Sequence, residues 1–285
     1  MSDTFWVALG SISTAAGFGV VAWQSALTRK AVKVSQDALE VARNAIIVNE
    51  AVAIDAARAR LDAQAPAVSV RLTDVQWPPY AWSHVGMPVN PWPAGYEWHF
   101  PEKQDERIVL QARVMVQNHG DRHVNVEYGG DLVREVEHRP RPASGHALWP
   151  HQGNGVSPNL FLYKDFTIKE LSENYEASQE GRPLPHRVTG TITVHDSRDS
   201  GVTDTWELEL TGCPVRPRQS RTGVWLIDTD IDTGSEALEF ASHPAFERTY
   251  WISRQRGQRL PDPTYSTRGT SGNRSLPPSS PPQLP

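Results

Sequence analysis

His186-Arg-Val-Thr-Gly-Thr-Ile-Thr-Val-His195, then Asp196-Ser-Arg-Asp-Ser-Gly201, then Thr203-Asp-Thr-Trp-Glu-Leu-Glu-Leu-Thr211, is the stretch that decides the fold. Val188, Gly190, Ile192 and Val194 share one face of the first run, and Trp206, Leu208 and Leu210 share one face of the second. A period of two marks a strand with one side in a core, because successive side chains point to opposite faces. The link is made of Asp, Ser and Gly, which favour turns. The pair therefore reads as a β-hairpin, with Asp196, Asp199 and Asp204 as its turn residues.

The same period recurs outward from it. Val68, Val70 and Leu72 alternate with polar residues, as do Val109, Ala112, Val114 and Val116 after one shift of phase. Asn118-His-Gly-Asp121 is a turn after a strand. Residues 124–128, 132–136, 160–168 and 224–227 are further strands, and 169–178 a short helix. Many short strands with frequent turn signals predict an immunoglobulin-like β-sandwich over residues 66–253. Cys213 is the chain's one cysteine, so the Cys…Trp…Cys signature is absent and "immunoglobulin-like" describes architecture alone.

An insert, residues 77–106, interrupts the early strands. It holds Trp77, Tyr80, Trp82, Trp92, Tyr96, Trp98 and Phe100 among six prolines. Proline stiffens a loop, and aromatic rings give large contact area at low entropic cost. Trp82, Trp92, Tyr96 and Trp98 are the candidate partner-binding residues if exposed; the alternative is that they fold back over the end of the sandwich.

The N-terminus reads differently. No charged side chain lies between Thr4 and Thr28. About 20 residues at about 1.5 Å rise span a bilayer's hydrocarbon layer, and Trp6 and Trp23 sit near the two ends, where indoles favour the headgroup boundary. Residues 1–28 are thus expected to be a transmembrane anchor, with a cleaved signal peptide or a buried helix as rivals. Arg29, Lys30 and Lys33 follow at once, which places the C-terminal domain in the cytoplasm. Residues 29–65 read as a helical stalk ended by Pro66. Ala31, Ala38, Ala45, Val52 and Ala59 form one heptad row and Val34, Val41 and Val48 the next, a pattern for a coiled coil and homo-oligomer, although Asp55 breaks it.

After residue 253 the chain is rich in Arg, Ser and Pro and reads as a disordered tail, residues 254–285. A net charge of -5 offers no basic face to offset phosphate, so nucleic acid is not an expected partner. Asp228, Asp230, Asp232, Glu236 and Glu239 fall at calcium-loop spacing, but Gly234 comes one residue late and a strand precedes the loop, so a solvated acidic turn competes with Ca²⁺ binding. His119 and His123 lie four apart on a turn, without a third ligand nearby. Cys213 has no basic partner in view. No phosphate-cradling, dinucleotide or nucleophile-elbow motif occurs.

Trp6-Val-Ala-Leu-Gly-Ser-Ile12 through Val21-Ala-Trp-Gln24 and Leu27-Thr-Arg-Lys30 resembles uncharacterised single-pass membrane proteins of high-GC actinobacteria, and Val194-His-Asp-Ser-Arg-Asp199 to Thr205-Trp-Glu-Leu-Glu-Leu210 is similar to their β domains. The resemblance implies an architecture and no activity. The sequence thus predicts a membrane-anchored binding or scaffolding module for an unknown protein partner, without catalysis or a required cofactor. A structural oligomeric membrane protein and an envelope-associated hydrolase are the alternatives.

Overall fold

The computed structural model describes residues 3–82, 88–93, 95–136, 139–150, 159–196, 198, 201–227, 237–252 and 258–261, with side chains left undescribed at 3–19, 82, 88, 89 and 136. The calcium-loop carboxylates before Glu239 and nearly all of the tail fall outside these residues. The chain divides into two units, residues 1–57 with 261–285, and residues 58–260.

Helix α1 runs without interruption over Asp3–Asp62, 60 residues. Among the described residues no helix is long and apolar enough to cross a membrane. That finding overturns the single-pass anchor, and with it the cell-membrane address and cytoplasmic sidedness. Gly10, Ser11, Ser13, Thr14, Gly17 and Gly19 dilute the uncharged run. Beyond Thr28 charged residues recur on nearly every turn, each costly in hydrocarbon. The separate coiled-coil stalk falls too. Residues 29–62 continue α1, and the described residues contain only one further helix. Its small alanine knobs and Asp55 make a poor seam. Val34, Val41, Val48 and Leu39 are each at least 60% exposed.

In the unit 58–260 the strands are β1 (Val68–Val75), β2 (Tyr80–Trp82), β3 (Pro88–Pro91), β4 (Glu97–His99), β5 (Arg107–Asn118), β6 (Val124–Gly130), β7 (Leu132–Val136), β8 (Arg139–Pro142), β9 (His146–Leu148) and β10 (Leu160–Thr167). Helix α2 (Ile168–Gln179) follows, then β11 (Val188–Asp196), β12 (Val202–Gly212), β13 (Val215–Pro217), β14 (Val224–Ile227), β15 (Leu238–Phe240) and β16 (Phe246–Tyr250). One sheet has the order β1-β5-β10-β7-β8, with β2 and β3 continuing along the β5 edge beside β1. The other runs β9-β6-β11-β12, with β15 and β16 both on the outer edge of β12. A small third sheet is β13-β14-β4. Lettering β1, β5, β6, β7, β10, β11 and β12 from A to G gives A-B-E-D opposite C-F-G, the strand order of a constant-type immunoglobulin sandwich.

Both large sheets feed one core, from Leu72, Leu110, Val114 and Leu162 on one side to Ile192, Val194, Trp206 and Leu208 on the other. The chain passes from one sheet to the other within a single residue, Asp131. Gly130 makes this turn with φ +74°, and a Cβ there would come within 2.5 Å of the Thr189 carbonyl oxygen. The Asp131 N–H then donates to Thr189 O (2.7 Å), and its carboxylate accepts from the Thr189 N–H (3.1 Å). The sheets approach closely at Gly190, where a methyl would lie 2.9 Å from both Leu132 Cγ and Leu162 Cδ1. Strand edges are blunted: β8 carries Pro140 and Pro142, and β9 is three residues long.

Helix α2 spans the corner between β10 and β11. Thr167 caps it: its hydroxyl accepts from the Glu170 N–H, while the Glu170 carboxylate accepts from the Thr167 N–H at 2.7 Å. Fully buried Asn174 donates to His186 O (2.8 Å) and Gly212 O (3.0 Å) and accepts from His186 N–H (2.9 Å), tying α2 to the segment that leads into β11 and to the end of β12. Burial alone would raise the Glu170 carboxyl; the bonds from Thr167, with His186 and Arg107 nearby, outweigh it and hold it below its ordinary 4.5. A depressed folded value means this contribution is complete above the ordinary value and is lost as pH falls through the folded one. Urea unfolding as a function of pH should show that acid loss in the parent chain and not in Glu170→Gln, and Thr167→Ala should cost about 1 kcal/mol at neutral pH.

Candidate functional site

The aromatic insert is built into the domain. Trp98 on β4 pairs across to Trp225 on β14, and its side chain is 0% exposed. Trp92 and Tyr96 are half-buried against it, with ring centroids 4.6 to 5.3 Å apart across the trio. Glu106 fastens the group, accepting from Trp98 Nε1 (3.0 Å) and Tyr96 Oη (3.2 Å). Lys103 Nζ donates to Tyr96 Oη (2.9 Å) and lies 4.6 Å from that ring's centroid. Trp98 therefore has no face left for a partner. The side chain of Trp82 lies outside the described residues.

Asp228, Asp230, Asp232 and Glu236 also lie outside the described residues. Glu239 stands exposed on β15 opposite Thr211. Among the described residues no three His, Cys, Asp or Glu side chains are grouped to hold a metal ion. His119 and His123 go separate ways: His119 Nε2 is 2.7 Å from Ser69 Oγ, and His123 packs on Trp149 with centroids 5.0 Å apart. Burial pushes the Cys213 thiol up, away from the reactive thiolate.

The concave site at the end of the sandwich comes from three segments: the link 63–67 after α1, the turn 118–124 between β5 and β6, and the end of β11. It is a cleft of about 200 Å³ lined by Gln64, Pro66, Asn118, Asp121, Arg122 and Asp196. Pro66 forces the chain out of the helix, and the His119 N–H bonds Ala67 O at 2.7 Å. Asn118 is fully buried and shapes the turn: it donates to Arg122 O (2.6 Å) and Leu148 O (3.1 Å) and accepts from the Gly120 N–H (2.9 Å). Asp196 is 6% exposed. Asp121 and Arg122 stand on the rim, loosely paired at 3.9 Å. His123 continues this turn and supports Trp149, whose indole is 67% exposed.

A second cluster corrects the sequence reading of Asp204. It is not a turn residue: it lies inside β12, directly opposite Arg248 on β16, with its side chain 2% exposed. Arg248 grips it through Nε (2.7 Å) and Nη2 (2.8 Å) and donates through Nη1 to Asp62 Oδ1 (2.9 Å) in the last turn of α1. Tyr250 Oη also donates to Asp62 Oδ1 at 2.9 Å, and Arg58 lies 5.1 Å from the Tyr250 ring centroid. The bonds to Asp204 raise the Arg248 pKa, so its charge persists at every working pH. The signal was present in the sequence: Asp204 is in phase with Trp206 and Leu208 and so points inward, which demands a cation.

No family model matches the chain, and no curated protein or solved structure matches it. The ion cluster makes its own prediction. Asp204→Asn strands a half-buried guanidinium and should cost about 2–4 kcal/mol in urea unfolding, against about 0.5–1 for Asp62→Asn, whose carboxylate is 42% exposed.

Proposed function

We propose that this chain is a binding or scaffolding module whose contact face is the end of the sandwich beside the helix link. The observation that carries this reading is the pairing of an exposed indole, Trp149, with a polar cleft walled by the same turn. Large exposed aromatics beside polar groups suit recognition, because they bring contact area with little side-chain entropy to lose. The turn is held by fully buried Asn118, so it is shaped before a partner arrives.

The scaffolding half of the reading draws on α1. Val32, Leu39, Val41, Ile46, Val48 and Val52 are each more than half exposed. For a hydrolase, the described clefts offer less support. The cleft beside the link brings together Asp121 and Asp196 without a histidine among its lining residues.

The test uses the full chain as immobilised bait, with bound proteins quantified after washing. Partners retained by the parent chain should fall at least tenfold with Trp149→Ala and with Arg122→Ala, while Phe246→Ala, another exposed aromatic, should leave them unchanged. Equal retention by all four baits would remove this face from the proposal.

A further inference from the structure

A groove of about 450 Å³ lies between the chain leaving α2 and the outward side of the β11, β12 and β15 strands. It sits at the opposite end of β11 from the cleft lined by Asp196. Its floor follows the strand register. Thr211 lies directly opposite Glu239 on β15. Arg187, one residue before β11, stands beside Thr211, because Val188 pairs with Leu210. Cross-strand neighbours share a side, and strands lie about 4.8 Å apart. Arg187 and Glu239 therefore flank Thr211 in one row, with Glu209 on the same side two residues back. Residues 181–184 form the wall. The volume falls within the range of about 300–1,000 Å³ found for small-molecule sites.

The groove carries both signs of charge, and its internal bonds leave one group of each sign available. Arg187 is engaged: Nη1 donates to Glu209 (2.9 Å) and Nη2 to Leu184 O (3.0 Å), which braces the floor against the wall. Thr211 is engaged too, its hydroxyl donating to His186 O at 3.1 Å. Arg182 donates from Nε to Glu180, and its Nη atoms bond no other described residue. Its backbone is fixed at the helix end, where its N–H bonds Ala177 O at 2.9 Å. Glu239 is exposed, and no described residue pairs with its carboxylate. Pro183 and Leu184 supply the apolar part of the wall.

We infer that this groove binds a free aliphatic α-amino acid. The Nη edge of Arg182 matches a carboxylate with two parallel hydrogen bonds, and the Glu239 carboxylate matches an ammonium. A simple anion would meet Glu239 and Glu209 as like charges, and a simple cation would meet Arg182 in the same way. A zwitterion satisfies both, with its aliphatic side chain against Pro183 and Leu184. The site goes beyond the contact face proposed above and does not depend on it.

The test titrates L-leucine, 3-methylbutylamine and 4-methylpentanoate separately into the full chain at low salt, following the amide resonances of Arg182, Thr211 and Glu239. The second probe is leucine without its carboxylate, and the third is leucine without its ammonium. Saturable shifts with L-leucine are expected, with each of the other two binding more weakly. Arg182→Gln and Glu239→Gln should each weaken L-leucine by about threefold to fivefold, the scale of an exposed charge pair. Glu239→Gln should also tighten 4-methylpentanoate, because a like charge is gone. Both side chains are on the surface, so the rest of the amide spectrum should stay that of the parent chain. Shifts that do not saturate, an unchanged affinity for L-leucine in either variant, or an amine or acid that binds as tightly as L-leucine would overturn the site.

Discussion

The approach of two sheets at Gly190 is the constraint on which the rest of the domain depends. With a single cysteine, no disulfide can hold the layers together, and the apolar contact between them must do so. Leu132 and Leu162 fill the space that any other residue at 190 would claim. The order of the sheets then requires the chain to switch layers between β6 and β7, and Gly130 allows this in one residue. From that crossing the strands fall into two antiparallel layers, and the corner helix α2 is stitched to the segment that leads into β11 and to the end of β12 by Asn174.

Charge decides what the core leaves open. Along the outer edge of β12, the inward-facing Asp204 would be costly alone, and Arg248 neutralises it with two parallel hydrogen bonds. The third arm of that guanidinium reaches Asp62, a carboxylate at a helix C-terminus where the macrodipole disfavours it. One arginine thus compensates two poorly placed acids and fixes the last turn of α1 on the domain. The link that follows this turn becomes one wall of the cleft formed with the 118–124 turn, so that cleft inherits part of its shape from the ion cluster.

The β domain was legible because its signal is local. Period-two alternation in Val188 to Val194 and Trp206 to Leu210 marked the hairpin that β11 and β12 form, and the strands over 124–128 and 132–136 fall within β6 and β7. The short helix expected over 169–178 falls within α2, whose Thr167–Glu170 capping box the structure adds. Other features depend on contacts far apart in sequence. Nothing near Trp98 reveals that Glu106 and Trp225 will enclose it, and nothing near Asp204 reveals Arg248, 44 residues away. At the N-terminus, absence of charge does not amount to affinity for lipid. Serine, threonine and glycine are uncharged without being apolar, and the helix continues into charged turns where an anchor would have ended.

The β11 and β10 layers meet face to face at Gly190. Nuclear Overhauser contacts between the Gly190 α protons and the methyl groups of Leu132 and Leu162 test it most directly, in the unmodified full chain. Strong cross-peaks from both leucines are expected, because the packing leaves no room for even one added methyl at that position. Their absence from a chain whose other amide and methyl signals show it folded would mean that the two sheets do not pack in this register.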